Sequence, residues 1–584
     1  MIRLLIAACV LSCTLGSGAL AAAPAAAPSA ATADFRARPA SDEIIYFLLA
    51  DRFENADPAN DRGGLAGDRL QTGYDPEAKG YFHGGDLKGV TARLDYIQSL
   101  GATALWLAPV FVNKPVQGPP GEESAGYHGY WITDFTKVDP HLGTAADLHA
   151  LVEAAHARGM KVYLDIVINH TADVIRYREC PGFACPYRSR ADFPDRADGY
   201  AYTPYVPAGE EHIKAPEWLN DLASYHNRGN STFEGESAML GDFGGLDDVA
   251  TENPRVVQGF IDVYGAWIDN YGIDGYRIDT AKHVNPEFWQ AFVPAMLARA
   301  GARGIPNFHI FGEAASGDMD PAALAVHTRV DRLPAMLDFA FSAAVRDTVA
   351  GTAGTDELAR LFAADPLYEG GESAALQLPT FIGNHDAGRF AYFVGKERPG
   401  ASAQEAMQRV QLGLAMLLTL RGVPTLYYGD EQGFVGLGDD QAARQDMFAS
   451  RVASYNSQPL LGTSATTATS SFDTTHPIYK GIAALAQLRQ QHAALRHGRQ
   501  LLRAASPKPG LFAVSRLDAV SDEEILVAFN TGTTPIDAHV VVERSSTQFA
   551  ALHGKCAATS TRPGSYAVSV PPLDYLICIS GTHP

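Results

Sequence analysis

The segment "TAADLHALVEAAHARGMKVYLDIVINH" (144–170) joins a helical pattern to an apolar run. In residues 144–160 apolar side chains recur at the spacing of one helix face. Residues 161–168 form a mostly apolar run rich in valine and isoleucine, and the polar pair Asn169 and His170 closes it. A strand with so few polar positions is typical of a sheet covered on both faces, and the preceding helix predicts parallel strands.

Seven further runs of this kind occur along the chain, which makes eight. Eight strands that alternate with helical patterns predict a (β/α)8 TIM barrel with more support than an open doubly wound sheet. No G-x-G-x-x-G follows the first run, which also disfavours a dinucleotide-binding fold. The seven runs are "EIIYFLLADRF" (43–53), "ALWLAPVF" (104–111), "GYRIDTA" (275–281), "FHIFGEA" (308–314), "MLDFAF" (336–341), "LPTFIGNHD" (378–386) and "VPTLYYGDE" (423–431).

The remaining segments predict the domain organisation. About 80 residues rich in Gly, Pro, Asp and Tyr interrupt the pattern after the third strand, and loops of that length are functional or form small domains. Beyond residue 500 the pattern changes to short alternating runs, which predict an antiparallel β domain. We therefore expect the barrel in residues 41–170 and 251–498, an inserted subdomain in residues 171–250, and a C-terminal β-sandwich in residues 499–584.

The N-terminus is typical of an export signal. Arg3 precedes an apolar stretch, and residues 19–21 form an A-x-A cleavage site. Interspersed Ser, Thr and Gly disfavour the alternative, a membrane anchor. We expect a signal peptide in residues 1–21, an Ala/Pro-rich linker in residues 22–40, and a secreted or periplasmic protein with no membrane span after cleavage.

Composition limits the classes of binding partner that we expect. The net charge is −20 and no cluster of Lys and Arg is present, so we expect no nucleic-acid partner. The acidity itself is explained by solubility, and we expect a monomer. Four of the six cysteines follow the signal, as the local pairs Cys180/Cys185 and Cys556/Cys578. Export favours two disulfides, whereas a zinc site and free thiols are the alternatives.

Carboxylates stand where predicted barrel strands end. Asp279, Glu313 and Asp386 each follow an apolar run, and Arg277 precedes Asp279 by two residues on the same strand face. Active sites of such barrels lie at the C-terminal ends of the strands. Retaining glycoside cleavage needs two carboxyl groups roughly 5 Å apart, one as nucleophile and one as acid/base. The fixed charge of Arg277 is expected to keep Asp279 ionised.

Four short motifs resemble, in order, those of the α-amylase family of glycoside hydrolases. They are "DIVINH" (165–170), "GYRIDTAKH" (275–283), "FGEA" (311–314) and "FIGNHD" (381–386), and "LDDVATENP" (246–254) is a weaker fifth match. The resemblance covers roughly residues 42–580. It implies that Asp279 is the nucleophile, Glu313 the acid/base and Asp386 the transition-state stabiliser. With "YHGYW" (127–131) it implies these substrate-binding residues: His128, Tyr130, Trp131, His170, Arg277, Lys282, His283 and His385.

The resemblance also implies calcium. One Ca²⁺ site would use the side chain of Asn169, the carbonyl of His283 and Asp248, since hard cations prefer oxygen ligands. A second would lie in the loop "ADRFENADPAND" (50–61) with "GGD" (84–86), which resembles the N-terminal calcium loop of cyclodextrin glucanotransferases. An Asx-rich turn is the alternative there. Its ligands would be Asn55, Asp57, Asn60, Asp61, the Gly84 carbonyl and Asp86.

The same resemblance sets two enzymatic alternatives. Glucanotransferases carry a large aromatic residue four positions before the residue that matches Asp248, and here that position is Gly244, although Phe243 is adjacent. The chain also ends after one β domain. Both features favour hydrolysis of an α-glucan or maltodextrin over glucanotransfer, while Ala314 replaces an aromatic residue that many members have after the acid/base. A non-catalytic sugar-binding relative is disfavoured because all three carboxylates are present.

Overall fold

The computed structural model describes residues 35–180, 182–194, 199–438 and 440–580. The predicted signal peptide and residues 22–34 of the predicted linker lie outside these ranges. Residues 35–40, the end of the predicted linker, pack against the barrel: Arg36 forms a 2.9 Å ion pair with the buried carboxylate of Asp274, and Ala40 is buried. The packed chain thus begins before residue 41, where the sequence analysis places the boundary.

Eight parallel strands form the predicted barrel, one from each apolar run. In spatial order the ladder runs β6-β5-β4-β3-β2-β1-β8-β7. Their side chains are almost all buried, as the apolar runs predicted. The strands are β1 (Ile45–Leu48), β2 (Ala104–Leu107), β3 (Lys161–Ile166), β4 (Gly275–Ile278), β5 (His309–Gly312), β6 (Ala335–Met336), β7 (Pro379–Thr380) and β8 (Val423–Tyr427).

The barrel closes between its two shortest strands. A single parallel bridge joins Asp338 to Thr380, and the Asp338 amide donates to the Pro379 carbonyl over 2.8 Å. Only the start of the run "MLDFAF" is extended, because the Asp338 side chain accepts a hydrogen bond from the Phe341 amide and so caps a helix that begins at Phe339. The ladder is therefore nearly closed, with its weakest seam between β6 and β7.

Helices cover the outside of the barrel. The predicted helix after residue 144 is Ala145–Ala157, capped by a Thr144–Asp147 capping box, and Asn253 caps the helix that precedes β4. Gly272 ends that second helix in the left-handed conformation, at φ 64°. The helices of eight or more described residues are Ala145–Ala157, Pro254–Tyr271, Pro286–Ala302, Pro321–Arg329, Phe339–Ala350, Asp356–Ala363, Phe390–Glu397, Ala403–Thr419 and Pro477–Gln491.

The segment between β3 and the helix Pro254–Tyr271 consists mainly of loops and short strands, as its composition predicted. A buried ion pair holds it together, with Lys214 Nζ 2.6 Å from Asp247 Oδ2. The disulfide Cys180–Cys185 forms within it, and Cys556–Cys578 forms in the C-terminal domain, so both predicted pairings are confirmed. The alternatives of a zinc site and free thiols are thereby ruled out for these pairs.

The C-terminal domain has two antiparallel sheets, one of five strands and one of two. Strand β11 alternates its buried faces: Ile525 and Val527 join the core shared with the barrel, whereas Leu526 joins the core between the two sheets. The strands are β9 (Arg499–Ala504), β10 (Leu511–Leu517), β11 (Glu524–Asn530), β12 (Ile536–Val541), β13 (Ala550–His553), β14 (Ser565–Val570) and β15 (Asp574–Ser580). No helix in the described ranges is long and apolar enough to cross a membrane.

A buried carboxyl group connects the segment after β8 to two tyrosines, one on β1 and one between β1 and β2. The hydroxyls of Tyr46 and Tyr96 both donate to Glu431 Oε1, over 2.7 and 2.9 Å. Its other oxygen is buried and has no hydrogen-bond partner among the described residues. Burial raises the pKa of Glu431 to about 7, against the two tyrosine hydrogen bonds that lower it.

We predict that Glu431→Gln gains stability relative to the wild type as the pH rises. An unfolded glutamate ionises near pH 4, at about 4.3, whereas the folded one keeps its proton to about 7. Between these values the unfolded state binds fewer protons, so the wild-type free energy of unfolding falls, by a total on the order of 3 kcal/mol. Below pH 4 both states are protonated and the effect vanishes. Glutamine does not titrate and escapes this loss.

Melting temperatures at pH 4.5 and pH 8 measure the effect, with the exposed Glu153→Gln as control. The melting temperature of Glu431→Gln minus that of the wild type should be more positive at pH 8 than at pH 4.5. The same difference for Glu153→Gln should be equal at both pH values. An equal difference at both pH values would contradict the assignment.

Candidate active site

A cleft of about 790 Å³ opens at the C-terminal ends of the barrel strands. Asp279 follows β4, Glu313 follows β5, and Asp386 lies in the loop after β7, and all three line the cleft. The structure therefore brings together the three carboxylates predicted from strand ends. This is the face at which enzymes with this barrel place their reacting groups.

One buried guanidinium connects the carboxylates. Arg277 Nη1 lies 2.9 Å from Asp279 Oδ1 and 2.7 Å from Asp165 Oδ1, and its Nη2 lies 2.6 Å from Glu313 Oε2. Asp165 also accepts hydrogen bonds from Trp106 and from the Tyr130 hydroxyl, over 3.2 and 3.0 Å. An unpaired buried charge is costly, so these contacts hold the cluster in one arrangement.

Burial changes the proton affinity of this cluster. It raises the pKa of Asp279 to about 7, against the attraction of Arg277, and the charges of Asp165 and Asp386 add to the rise. Burial likewise raises the pKa of Glu313 to about 7, where Arg277 again opposes it. We expected the charge of Arg277 to keep Asp279 ionised, but burial outweighs that charge. Near neutral pH the cluster retains protons, which a general acid requires.

Asp386 has a different environment. Burial raises its pKa, but His385, Arg444 and Arg277 outweigh burial and lower it. Arg444 Nη2 lies 3.0 Å from Asp386 Oδ1, and His385 Nε2 lies 3.2 Å from Oδ2. This carboxylate is therefore the one that stays ionised most readily, while its neighbours share protons.

Histidines and aromatic rings form the cleft walls. The His170 ring stacks on Phe243 at a centroid distance of 5.4 Å, and its buried Nε2 has no partner among the described residues. Tyr130 OH lies 2.7 Å from His385 Nε2. His128 and Trp131 meet edge to face at 4.6 Å, and both line the cleft. A free imidazole nitrogen beside apolar ring faces is suited to a sugar, which has hydroxyls at its rim and C–H groups on its faces.

Lys282 and His283, which were predicted to bind substrate, also line the cleft. Lys282 Nζ donates to the Ala315 carbonyl over 2.7 Å and so ties the loop after β4 to the loop after β5. The His283 ring lies 2.6 Å from the Ala238 carbonyl of the inserted segment. Thr280 has φ 47°, a left-handed conformation that is uncommon for a β-branched residue and is found at functional sites.

Gly244 lies apart from the cleft lining, whereas its neighbour Phe243 is part of it. A side chain added at Gly244 would meet no atom within 4 Å of its Cβ, and φ there is +61°. Phe233, whose side chain is 51% exposed, stands edge to face with Phe243 at 5.1 Å and extends the same wall. The aromatic surface thus comes from two phenylalanines rather than from position 244.

The predicted N-terminal calcium loop brings oxygen atoms of Asn55, Asn60, Asp61 and the Gly84 backbone close together, and we call this group the oxygen cradle. Asn55 Oδ1 and Asn60 Oδ1 are buried without hydrogen-bond partners among the described residues. Gly84 has φ +99°, and a Cβ there would lie 2.6 Å from both Asn55 Nδ2 and Asp61 Oδ1, so these groups converge on its backbone. Orphaned buried oxygens next to a carboxylate fit a hard cation.

Two further predicted ligands of that loop have protein partners. Asp86 accepts hydrogen bonds from the amides of Ala56, Asp57 and Gly89, over 2.7 to 3.0 Å. The Asp57 carboxylate lies 2.5 Å from Lys88 Nζ at the surface. The side chain of Asp57 therefore points away from the cradle, and only its carbonyl remains as a candidate ligand.

At the other predicted calcium site a histidine contacts the proposed carboxylate ligand. Asp248 pairs with His226 Nδ1, and His226 Nε2 lies 2.9 Å from Glu252. Burial lowers the pKa of His226, but Asp248 and Glu252 outweigh it and raise the pKa to about 9. Asn169 lies near Asp248. The Asn169 carbonyl accepts a hydrogen bond from the amide of Val249, the residue after Asp248, over 2.9 Å. These residues fit a metal ion less well than the N-terminal loop does. Within the described ranges no three His, Cys, Asp or Glu side chains form a metal-binding group.

The structure adds residues that no motif indicated. Arg444 reaches the site from the segment after β8, where it donates to the His385 carbonyl over 3.0 Å and to the Tyr127 hydroxyl over 3.2 Å. Its surroundings, "AARQDM" (442–447), have no distinctive pattern. Asp165 belongs to the motif "DIVINH", but only the structure shows its contact with Arg277.

Comparison with known proteins agrees with this geometry. Residues 47–504 match the family model of the alpha-amylase catalytic domain. The chain belongs to the alpha-amylase family. An alpha-amylase of Streptomyces lividans is 44% identical over 528 residues, which are 87% of this chain and 57% of that protein. A cyclomaltodextrin glucanotransferase of Niallia circulans is 30% identical over 441 residues, or 73% and 54%. This chain therefore spans just over half the length of these two family members.

Solved structures of the family share the architecture. An Anoxybacillus alpha-amylase has a TM-score of 0.70 at 27% identity, over 94% of this chain and 99% of that one. CldA, described as a cyclomaltodextrin glucanotransferase with a three-domain ABC distribution, has a TM-score of 0.72 at 26% identity, over 93% and 99%. A single β domain after the barrel therefore occurs in both activities. The expectation that it favours hydrolysis is wrong.

Proposed function

We propose that this protein is a secreted or periplasmic retaining hydrolase that cleaves α-1,4-glucosidic bonds of starch or maltodextrins. The arrangement that supports this most directly is the buried guanidinium of Arg277, which contacts Asp279 and Glu313 through different nitrogens. A shared partner holds the two carboxyl groups close to each other, as the roughly 5 Å spacing of a retaining pair requires. Membership of the alpha-amylase family and the Streptomyces relative agree with this reaction.

In the first step Asp279 attacks the anomeric carbon and forms a covalent bond to it. The bond from that carbon to the leaving oxygen breaks, and Glu313 gives its proton to that oxygen. In the second step Glu313 takes a proton from water, whose oxygen displaces Asp279. The pKa of Glu313, raised to about 7, suits a group that holds a proton near neutral pH and then returns it.

The groups around this pair bind the sugar. Asp386 and His170 present a carboxylate and an imidazole nitrogen to the ring hydroxyls, and Tyr130 offers an aromatic face. His385 is fully buried next to Asp386, 3.2 Å from its Oδ2, and supports that carboxylate instead of lining the cleft. Hydrogen bonds to sugar hydroxyls that strengthen as the ring flattens stabilise the transition state. Arg444 positions Asp386, since it contacts both that carboxylate and the His385 carbonyl.

Glucanotransfer with the same residues is the second candidate. It is favoured by the exposed ring of Phe233 beside Phe243, a surface on which an acceptor sugar can rest, and by the likeness to glucanotransferases. Hydrolysis is favoured by Gly244, because this position has no side chain where glucanotransferases carry a large aromatic residue. The small Ala314 after the acid/base favours hydrolysis as well. We rank hydrolysis first.

We predict that Asp279→Asn and Glu313→Gln each lower kcat on soluble starch by about a thousandfold or more. Both replacements keep the shape of the side chain and remove the nucleophilic charge or the transferable proton. The matched control is Asp318→Asn, an exposed carboxylate five residues beyond Glu313, which should keep wild-type turnover. Melting curves confirm folding, and near-normal kcat in either active-site variant would show that other carboxylates carry the reaction.

We propose that one calcium ion binds the N-terminal loop through Asn55, Asn60, Asp61, Asp86 and the backbone at Gly84 and Asp57. The ion would fasten the loop to the barrel and supplies no reacting group. Asn169, Asp248 and His283 remain a second candidate site, at which calcium competes with His226 for Asp248.

We predict that EDTA lowers the melting temperature, because a ligand that binds only the folded state stabilises it. Asp61→Asn, which weakens the proposed cradle, should lose most of this EDTA-sensitive shift. Asp57→Asn should retain it, because that carboxylate faces Lys88. Calorimetric melting with and without EDTA measures the shift, and metal analysis should find calcium. A wild-type melting curve that EDTA leaves unmoved would rule out the site.

A further inference from the structure

A second groove lies between the barrel and the C-terminal domain, with a volume of about 320 Å³. Its walls are the helices Ala403–Thr419 and Pro477–Gln491, together with the ends of β13 and β15. Leu412, Ile478 and Leu485 form part of its apolar lining. It shares no lining residue with the catalytic cleft.

One side of the groove carries a row of amides. Gln404, Gln408 and Gln411 lie at positions i, i+4 and i+7 of the helix Ala403–Thr419, so they occupy one face of it. Gln404 is exposed, and Gln408 and Gln411 are half-buried. None of their side chains has a hydrogen-bond partner among the described residues. Three free amides offer both donors and acceptors to whatever enters the groove.

The strand ends that line the groove carry a stacked ring pair and a carboxylate. His553 stacks on Tyr575 with centroids 4.2 Å apart and planes 10° apart. Tyr575 covers one face of the imidazole, so the exposure of His553 comes from its other face and edge. Asp574 also lines the groove, and within the described ranges its carboxylate contacts only the amide of Tyr575, over 2.8 Å.

We propose that this groove is a second carbohydrate-binding site, separate from the catalytic cleft, that holds a stretch of α-1,4-glucan. Pyranose rings present C–H groups on their faces, which pack on aromatic rings, and hydroxyls at their edges, which pair with amides and carboxylates. An exposed ring and a row of amides that line the same groove provide both kinds of contact. Among the described residues that line the groove there is no lysine or arginine, which makes a phosphate or other anion a poor match.

The choice of glucan rests on the proposed function. A polymer that the cleft cleaves is long enough to touch a second site on the same protein, and the two contacts reinforce each other through effective concentration. The groove would thus retain the enzyme on large or insoluble substrate, while a short oligosaccharide would use only the cleft.

Binding to granular starch tests the proposal in full-length protein carrying Glu313→Gln, so that substrate is not consumed. On this background we compare His553→Ala with Gln408→Ala in one chain, and Gly481→Leu separately. Gly481 lines the groove, and a Cβ there would meet no atom within 4 Å, so leucine fills the groove without a clash. His539→Ala, an exposed histidine on β12 outside the groove, is the control.

Both groove variants should raise the apparent Kd for granules by about fivefold or more, and the control should leave it unchanged. With Glu313 restored, kcat/KM on a nitrophenyl maltooligosaccharide should be the same in all variants. Granule binding that equals the parent in both groove variants would overturn the proposal. Parent binding to cellulose as strong as to starch would overturn the assignment to an α-glucan. Failure of wild type to cleave the maltooligosaccharide would instead refute the proposed function, which granule binding does not measure.

Discussion

The buried guanidinium of Arg277 is the interaction on which the site depends. It brings Asp165, Asp279 and Glu313 within ion-pair distance at the largely buried base of the cleft. Without it, carboxylates this close would repel one another and the cluster would have to take up protons or separate. Arginine suits this place better than lysine, because its planar group offers several donors in fixed directions.

The strand register of the barrel brings the three carboxylates into contact with one guanidinium. Arg277 on β4 stands directly opposite Asp165 on β3 in the parallel ladder. The ladder pattern continues past the strand ends, where the Asp279 amide donates to the Ile166 carbonyl and the Glu313 amide to the Ile278 carbonyl, each over 2.9 Å. A slip of one residue in either pairing would turn these side chains to the opposite face. The fold and the chemistry therefore share one constraint.

The sequence predicted the barrel and its three carboxylates because both depend on local patterns. An apolar run that ends in a charged residue marks a strand and the side chain it presents at the mouth. Arg444, Phe233 and the His226–Asp248 pair were missed as partners, since each reaches its contact from a loop whose path no periodicity fixes. The short β6 was predicted too long, because Asp338 turns the chain into a helix. The edge strands β9 and β13 were also missed, because none of their residues is fully buried and they lack a continuous apolar pattern.

The proton sharing in the cluster also depended on the fold. Sequence spacing placed a positive charge next to Asp279, but the effect of burial on its pKa follows only from the depth of the site. The number of domains likewise did not distinguish hydrolysis from glucanotransfer, because hydrolases and glucanotransferases of the family share the same architecture. We propose that the distinction between them lies in a few side chains of the cleft wall.

Proton NMR of fresh products from soluble starch tests the central claim most directly, because it reports both the bond formed and its stereochemistry. Double displacement at Asp279 followed by attack of water predicts new reducing ends whose α-anomer signal rises first, with the β-anomer appearing later by mutarotation. A β-anomer signal that rises first would contradict the retaining mechanism. Consumption of starch without new reducing-end signals would show cyclisation in place of hydrolysis.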